Sequence, residues 1–342
     1  MANRRDVDFG INVNTRCPVI YPEHYSARRL VDLAAHVEAL GYDTVYVGDN
    51  YFSKPRLEST TTLAAIASRT TRVKLATSAL ISPLRNTVWL ALHWATVDQL
   101  SGGRTVLVLC VGGGSAEAGG PEFTREFDVA GVPYKKRGAV LEEQIHVLRQ
   151  LWTEAQTTFR GQFHTLENIT FGPKPVQTPC PPIWIANNPQ IFPLDSGVVG
   201  RMLRRVARLS DGWQTCLAAS EEYRSILDRI RQYAAEAGRD PDEIVPSYQV
   251  LLNVNPKRAK ARAEALEFIN KYYVTDYRSL EDSMWERDPF GTADDCIKKL
   301  RGIIEAGCRS FSFRFASPDQ FEQVERFTSS VLPALKDYAG RP

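Results

Sequence analysis

Residues 100–114, LSGGRTVLVLCVGGG, decide the fold. Ser101, Gly102 and Gly103 form a turn signal, residues 106–111 run apolar without alternation, and Gly112, Gly113 and Gly114 follow at once. An unbroken apolar run of this length is the pattern of a strand buried on both faces. Glycines at its carboxyl end let backbone come close to a flat ring or a phosphate with no side chain between them.

The same strand-then-loop arrangement recurs on either side. Residues 7–13, 44–47, 73–80, 105–111, 183–186, 213–215, 244–253 and 310–315 read as strands. Between and after them, residues 25–40, 57–68, 87–100, 137–152, 198–209, 221–237, 293–306 and 321–335 read as helices. In the first of these, Leu30, Leu33, Ala34, Val37 and Leu40 share one face and Gly41 is the stop. The repeat is about 30 residues, the size of a βα unit, and every crossover implies a parallel neighbour. Eight such units in one chain predict an α/β fold, a (β/α)8 TIM barrel, with residues 1–342 as a single domain. The surplus length falls in three places. Residues 112–136, after strand 4, and 256–289, after strand 7, are long insertions; residues 157–176 alternate and turn at Gly161, predicting a β-hairpin before strand 5.

Composition narrows the function classes. A formal net charge of +2 gives no reason to expect nucleic acid or an anionic membrane as partner. No apolar run approaches the roughly 20 residues of a membrane span, and residues 1–5 (MANRR) lead straight toward a strand, so neither a membrane anchor nor a signal peptide is expected. Six cysteines without CxxC pairing predict reduced thiols and a cytoplasmic location. The five histidines lack metal spacing, so no metal site is expected.

In a barrel of this kind reactive groups lie at the carboxyl ends of the strands. That rule nominates Asn12, Asn14, Asp49, Asn50, residues 78–82 (with Ser78, Ala79 and Leu80), Cys110 and the following glycines, Asn187, Asn188, residues 213–215, Asn253 and Arg314. The set is mostly neutral, with no lysine, carboxylate cluster or histidine pair. It is better equipped to hold a cofactor than to do chemistry alone.

On these residues, and on LVDLAAHVEALGYDTVYVGDN (30–50), LAAIASRTTRVKLATSALISPLRNTVWLA (63–91), ATVDQLSGGR (95–104) and GTADDCIKKLRGIIEAGC (291–308), the chain resembles the bacterial luciferase-like superfamily of flavin and deazaflavin enzymes. The resemblance covers nearly the whole chain. It implies a flavin ring at the barrel mouth, its back against the end of strand 3, and a non-prolyl cis peptide at Ser78-Ala79. It places Cys110 near the ring's reactive face; a small buried hydrophobe is the alternative reading of that cysteine. A phosphate-binding arginine of luciferases is replaced by Val111, and Gly112, Gly113 and Gly114 can serve with backbone N–H groups instead. Asp49-Asn50 stands where many deazaflavin relatives have Asp-His, and Ser115 stands where those relatives have an acid. Asn187, Asn188 and Arg201 are the further cofactor-binding candidates. Asn14, Trp213, Tyr248 and Arg314 are candidates for contact with substrate, with barrel core as the alternative for Trp213 and Tyr248.

The first functional reading is a two-component monooxygenase. Reduced FMN from a separate flavin reductase would bind at the mouth, with Cys110, Asn50 and Asp49 nearest the chemistry, and a small organic substrate would be oxygenated. The alternative keeps the frame and uses coenzyme F420 for hydride transfer. A non-catalytic flavin-binding or partner subunit is the reading of another class. The resemblance also implies homodimers or higher homo-oligomers through the helices after strands 2 and 3, with Leu63, Ala64, Ala65, Ile66 and Ala67 as packing residues.

Overall fold

Eight parallel strands close on themselves: β1 (Asp8–Val13), β2 (Thr44–Val47), β3 (Lys74–Thr77), β4 (Thr105–Cys110), β5 (Ile183–Ala186), β6 (Gly212–Thr215), β7 (Val245–Val254) and β8 (Ser310–Phe315). In this computed structural model the described residues are 7–113, 121–274 and 281–340. Gly114 and Ser115 lie outside them. Each strand pairs with the next, and β8 returns to β1 with Asp8 opposite Ser310 and Ile11 opposite Phe313. The (β/α)8 barrel expected from the sequence is the fold observed.

The helices around it are α1 (Ala27–Ala39), α2 (Ser59–Ala67), α3 (Thr87–Ser101), α4 (Arg137–Thr153), α5 (Gly197–Leu209), α6 (Ser220–Glu236), α7 (Ala293–Glu305) and α8 (Gln320–Ser330). Most start on a side-chain cap that serves an otherwise unpaired first-turn N–H. Ser26, Glu58, Asn86, Ser196, Thr292 and Asp319 do this. Residues 321–335, read as one helix, are two. The second (Leu332–Tyr338) begins with Pro333 in its first turn, where proline is tolerated and continuing the previous helix is not.

The outward faces of the strands pack under the helices in one continuous apolar layer. That layer includes Leu63, Ile66 and Ala67 of α2, so three of the five residues considered for self-association belong to the chain's own core. The inward faces carry a smaller apolar group, Tyr46, Ala76, Val106, Val108 and Trp184. Beside it lies a polar layer. Tyr46 Oη bonds Ser310 Oγ at 2.8 Å, Gln214 Nε2 donates to Ser247 Oγ at 3.3 Å, and Asn12 Nδ2 donates to Ser312 Oγ at 3.4 Å.

One expected strand is broken. Residues 73–80 do not run straight: β3 stops at Thr77, Ser78-Ala79 is a cis peptide, and Leu80–Ile81 resumes pairing opposite Leu109 and Cys110. The Thr77 side chain takes over the ladder at the break. Its Oγ1 donates to the Val108 carbonyl (2.7 Å) and accepts from the Val108 N–H (3.0 Å).

Insertions supply the remaining elements. A helix (Pro121–Val129) follows β4, an antiparallel hairpin (Thr157–Arg160 with Thr165–Ile169) precedes β5, and two helices (Arg258–Tyr273 and Glu281–Arg287) follow β7. The route from hairpin to β5 is fastened by Asp98 of α3, which is fully buried. Its carboxylate accepts from Thr105 Oγ1 (2.6 Å), Gln177 Nε2 (2.7 Å) and the N–H groups of Val176 (2.8 Å) and Gln177 (3.1 Å). Asp98→Ala strands these donors in a buried place, so it is expected to lower stability by about 3 kcal/mol, read as a shift of the urea midpoint with unchanged m-value.

Candidate active site

A cavity of about 560 Å³ opens at the carboxyl ends of β3 to β7. Ala79, Cys110, Gly112, Gly113, Asn187, Asn188 and Arg201, all nominated from sequence, line it. Ser78 sits one layer behind. Its Oγ lies 2.8 Å from both Gln214 Oε1 and Gln249 Oε1, and those two glutamines do line the cavity. A hydroxyl has one proton, so Ser78 donates to these two amide oxygens in turn and ties β6 and β7 to the break after β3. Leu80 is buried in the layer under the helices and does not reach the cavity.

The glycine loop behaves as its sequence suggests. Gly112 and Gly113 have φ of +72° and +53°, which disfavour a side chain. A Cβ on Gly112 would also stand 2.5 Å from Ile81 Cγ2 and 3.1 Å from Phe127 Cζ. The loop therefore lies flat against the end of the β3 segment. Cys110 faces the same cavity, and burial pushes its thiol up to about 12. It is a neutral SH group at physiological pH.

Asp49 and Asn50 are held elsewhere. Asp49 Oδ1 accepts from Arg85 Nη2 (2.6 Å) and Ser59 Oγ (3.1 Å), and its Oδ2 accepts from the Ile81 N–H (2.9 Å). Asn50 Nδ2 donates to both oxygens of Glu126 (3.3 and 3.1 Å). Glu126 also accepts the N–H groups of Tyr51 (3.1 Å), Phe52 (2.7 Å) and Ser53 (2.7 Å) through Oε1. Neither Asp49 nor Asn50 borders the main cavity; Asn50 lines a separate cavity of about 780 Å³ beside α2 and α3.

Asn187 Oδ1 accepts from Trp213 Nε1 (3.0 Å), and Asn188 Oδ1 accepts from Thr215 Oγ1 (3.1 Å) and the Cys216 N–H (3.0 Å). These bonds hold the β5 and β6 ends together. Neither side-chain NH2 has a partner among the described residues, so both remain available as donors at the cavity wall.

The expected substrate contacts divide. Trp213 and Tyr248 belong to the core, the alternative named for them. Trp213 stacks on Tyr223 (5.1 Å between centroids), Tyr248 meets Tyr223 edge-on (5.6 Å), and Tyr248 Oη donates to the Ala218 carbonyl (2.8 Å). Asn14 is buried too, its Nδ2 bonded to Gln320 Oε1 (2.8 Å) and the Phe315 carbonyl (3.3 Å). It pins the end of β1 to the start of α8. Arg314 is buried across the mouth from the main cavity and does not line it.

Gln249, Lys135 and Arg137 line the cavity without having been nominated. Gln249 and Ser247 are polar residues two apart in the strand, on the same face, and that alternation was the available signal. Lys135 and Arg137 sit at the entry of α4, where the run YKKRG carries the charge. Arg205 also lines the cavity, but its Nε is paired with Glu142 Oε1 at 2.8 Å. Glu126 carried no signal, because nothing in the sequence sets it apart from Glu122 and Asp128 on the same short segment.

Residues 7–309 match the family described as luciferase-like monooxygenase. The chain is 26% identical over 339 residues to an F420-dependent glucose-6-phosphate dehydrogenase of Amycolatopsis mediterranei, covering 92% of this chain and 96% of the relative. It is 26% identical over 348 residues to the enzyme of the same name from Nakamurella multipartita, covering 93% and 96%. Among solved structures it is similar to monooxygenase RslO1 from Streptomyces bottropensis, with a TM-score of 0.78, 22% identity and 95% and 99% of the two chains covered. An F420-dependent secondary alcohol dehydrogenase, solved with an F420-acetone adduct, gives a TM-score of 0.75 at 20% identity, with 96% and 99% covered. A match spanning most of the chain, on a barrel whose mouth cavity is built from the expected strand ends, places this chain in the luciferase-like monooxygenase family.

Proposed function

We propose that this chain is an F420-dependent oxidoreductase that moves a hydride between the deazaflavin and a small substrate at the barrel mouth. The observation that carries the choice is the near full-length match to relatives named as F420-dependent dehydrogenases. It reverses the order of the two readings made from the sequence, in which reduced FMN came first. The solved monooxygenase shares the fold at 22% identity and lends no weight to either cofactor.

The cavity residues suit the group. Its volume is in the range of small-molecule sites. Ala79, Leu141 and Ile185 give an apolar wall for a flat ring, and the positive-φ glycines let backbone approach it. Asn187 and Asn188 would offer NH2 donors to ring carbonyl or phosphate oxygens. Lys135, Arg137 and Arg201 stand on the rim with no carboxylate partner among the described residues. Burial, with Arg205 nearby, lowers the pKa of Arg137 from its ordinary value. An incoming anion would relieve both effects, which favours a cofactor with an anionic tail.

Bound F420 would supply the hydride chemistry. The chain's own residues bind and orient it and keep water away, with Phe123, Phe192 and Met202 lining the opening. The proton route of the Asp-His relatives has no counterpart at Asn50, whose amide cannot shuttle a proton and is bound to Glu126. Dehydrogenation of a sugar phosphate by that route is accordingly not part of this proposal.

Parallel anaerobic titrations with F420 and with reduced FMN are the direct test. F420 is expected to bind at least about a hundredfold more tightly, a difference of roughly 3 kcal/mol. Tight binding of reduced FMN alone would restore the monooxygenase reading, and binding of neither would point to the non-catalytic subunit. Arg137→Gln and Arg201→Gln should each weaken F420 about tenfold, the worth of one charge-assisted contact. Cys110→Ala should leave the pH profile of hydride transfer unchanged near neutrality, because the thiol stays protonated there. Loss of a kinetic pKa in that variant would show that Cys110 titrates during turnover.

A further inference from the structure

Across the mouth from the cofactor cavity, four cations meet around two tyrosines. Arg16 follows β1, Lys54 and Arg56 follow β2, and Arg314 lies in β8. Tyr272 and Tyr273 end the first insertion helix after β7. The guanidinium carbons of Arg16, Arg56 and Arg314 lie 5.7, 5.6 and 5.4 Å from the Tyr272 ring centroid. Arg56 Nη1 donates to Tyr272 Oη (3.1 Å) and Arg314 Nη1 to Tyr273 Oη (3.4 Å). Lys54 Nζ lies 5.7 Å from the Tyr273 ring. Gly48 makes the convergence possible: a Cβ there would stand 2.6 Å from Arg56 Nη1 and 3.5 Å from Arg314 Nη2.

No carboxylate pairs with any of the four among the described residues. Arg16 is 4% exposed and Arg314 5%, and Arg16 Nε and Nη1 and Arg314 Nε have no hydrogen-bond partner. Buried guanidinium N–H groups without acceptors are costly, and like charges in the same place add to the cost. The field shows on its neighbours. Burial, Arg56 and Arg16 push Lys54 down to about 8. Burial opposes ionisation of Tyr272, but Arg314 and Arg56 outweigh it and bring its pKa below the ordinary value. Glu126 acts on Lys54 from a distance, but its oxygens already serve Asn50 and three backbone N–H groups.

None of the four cations lines the cofactor cavity, but two residues that do line it neighbour the cluster. Phe123 lines that cavity and lies with its ring centroid 4.0 Å from Lys54 Nζ. Cys216 lines it as well and is within reach of the charge on Arg314. A small molecule could place one end here and its reacting carbon beside the cavity.

We infer that Arg16, Lys54, Arg56 and Arg314 form an oxyanion subsite that holds the doubly charged end of the substrate, a phosphate ester in chemical class. Four cations, two of them with guanidinium donors that have no acceptor, suit a dianion with three terminal oxygens better than a monocarboxylate, which brings one charge and two oxygens. The assignment to substrate rests on the deazaflavin reading; the anion site does not.

Calorimetric titration with inorganic phosphate, and with acetate as the single-charge comparison, tests the site. Phosphate should bind the wild-type chain more tightly than acetate, and Arg16→Met and Lys54→Met should each weaken it at least about tenfold. Without phosphate, Arg16→Met should unfold at the wild-type temperature or above it, since it removes a buried uncompensated charge, and a given phosphate concentration should raise its midpoint less than that of the wild type. Equal phosphate affinity in wild type and both variants, or no phosphate binding by the wild type, overturns the site. Equal affinity for acetate overturns the dianion assignment. F420 affinity, followed in parallel by fluorescence, should stay within about twofold in both variants, far below the tenfold loss of a cofactor contact. Its loss there would move these cations to the cofactor's tail and overturn the substrate role. Failure of F420 to bind the wild type, with phosphate binding intact, sinks the cofactor reading and leaves the oxyanion site standing.

Discussion

The carboxylate of Asp49 is the fastening on which the mouth of this barrel depends. It is buried at the end of β2 and receives the Ile81 N–H, Arg85 and Ser59 together. Ile81 belongs to the segment that resumes after the break at Ser78-Ala79, and that segment pairs with the end of β4. Ala79 and Cys110 thereby arrive on the same wall. The close fit continues outward, since Gly112 has room for no Cβ against Ile81 and Phe127. Phe127 and Glu126 lie on one short helix, and Glu126 gathers Asn50 and the three N–H groups after it. The circuit returns to the residue beside Asp49. Such satisfied polar groups are worth most in a buried setting, where any one left unpaired would be expensive.

This circuit explains why a pair that looks catalytic in sequence is positional in space. An Asp-Asn at a strand end of a barrel invites a chemical role. Here the Asp is saturated by three donors and the Asn amide is tied to a buried acid. The groups deep in the cavity are the quieter ones, a neutral thiol, two amides at the β5 end, two glutamines and the backbone of the glycine loop, with the cations Lys135, Arg137, Arg201 and Arg205 also on its wall. A mouth of that kind suits a cofactor that carries its own chemistry.

The strands were legible because parallel barrel strands are apolar on both faces, and the helices because one face alternates at helical spacing. β2, β5 and β8 fall on the residues the pattern predicts. The pattern failed where tertiary contacts overrule local preference. Nothing local marks residues 73–80 as interrupted, because the Thr77 hydroxyl that replaces the ladder bond acts on Val108, in another strand. The 112–136 insertion hid a helix because nine residues with two buried side chains, Glu126 and Phe127, give too little periodicity to read. Trp213 and Tyr248 could equally have lined a pocket; Tyr223, from α6, makes them core by stacking on Trp213 and meeting Tyr248 edge-on.

The two halves of the mouth differ in what the chain has left unpaired. On the β3-to-β7 side the polar groups largely satisfy one another, and among the described residues the surplus is two amide NH2 groups and three rim cations. On the β8, β1 and β2 side the surplus is charge. Arg16 and Arg314 are buried as deeply as core residues, yet nothing in the described chain neutralises them. A fold gains no stability from that arrangement. Its persistence is intelligible if the opposing charge comes from outside, so that the same groups that cost stability in the empty barrel supply affinity when it is filled. The aromatic floor under them supports this use. Tyr272 presents its ring and hydroxyl to three guanidinium groups, which spreads the repulsion without cancelling it. The insertion after β7, which has no part in closing the barrel, thus contributes the surface on which the cations are arranged.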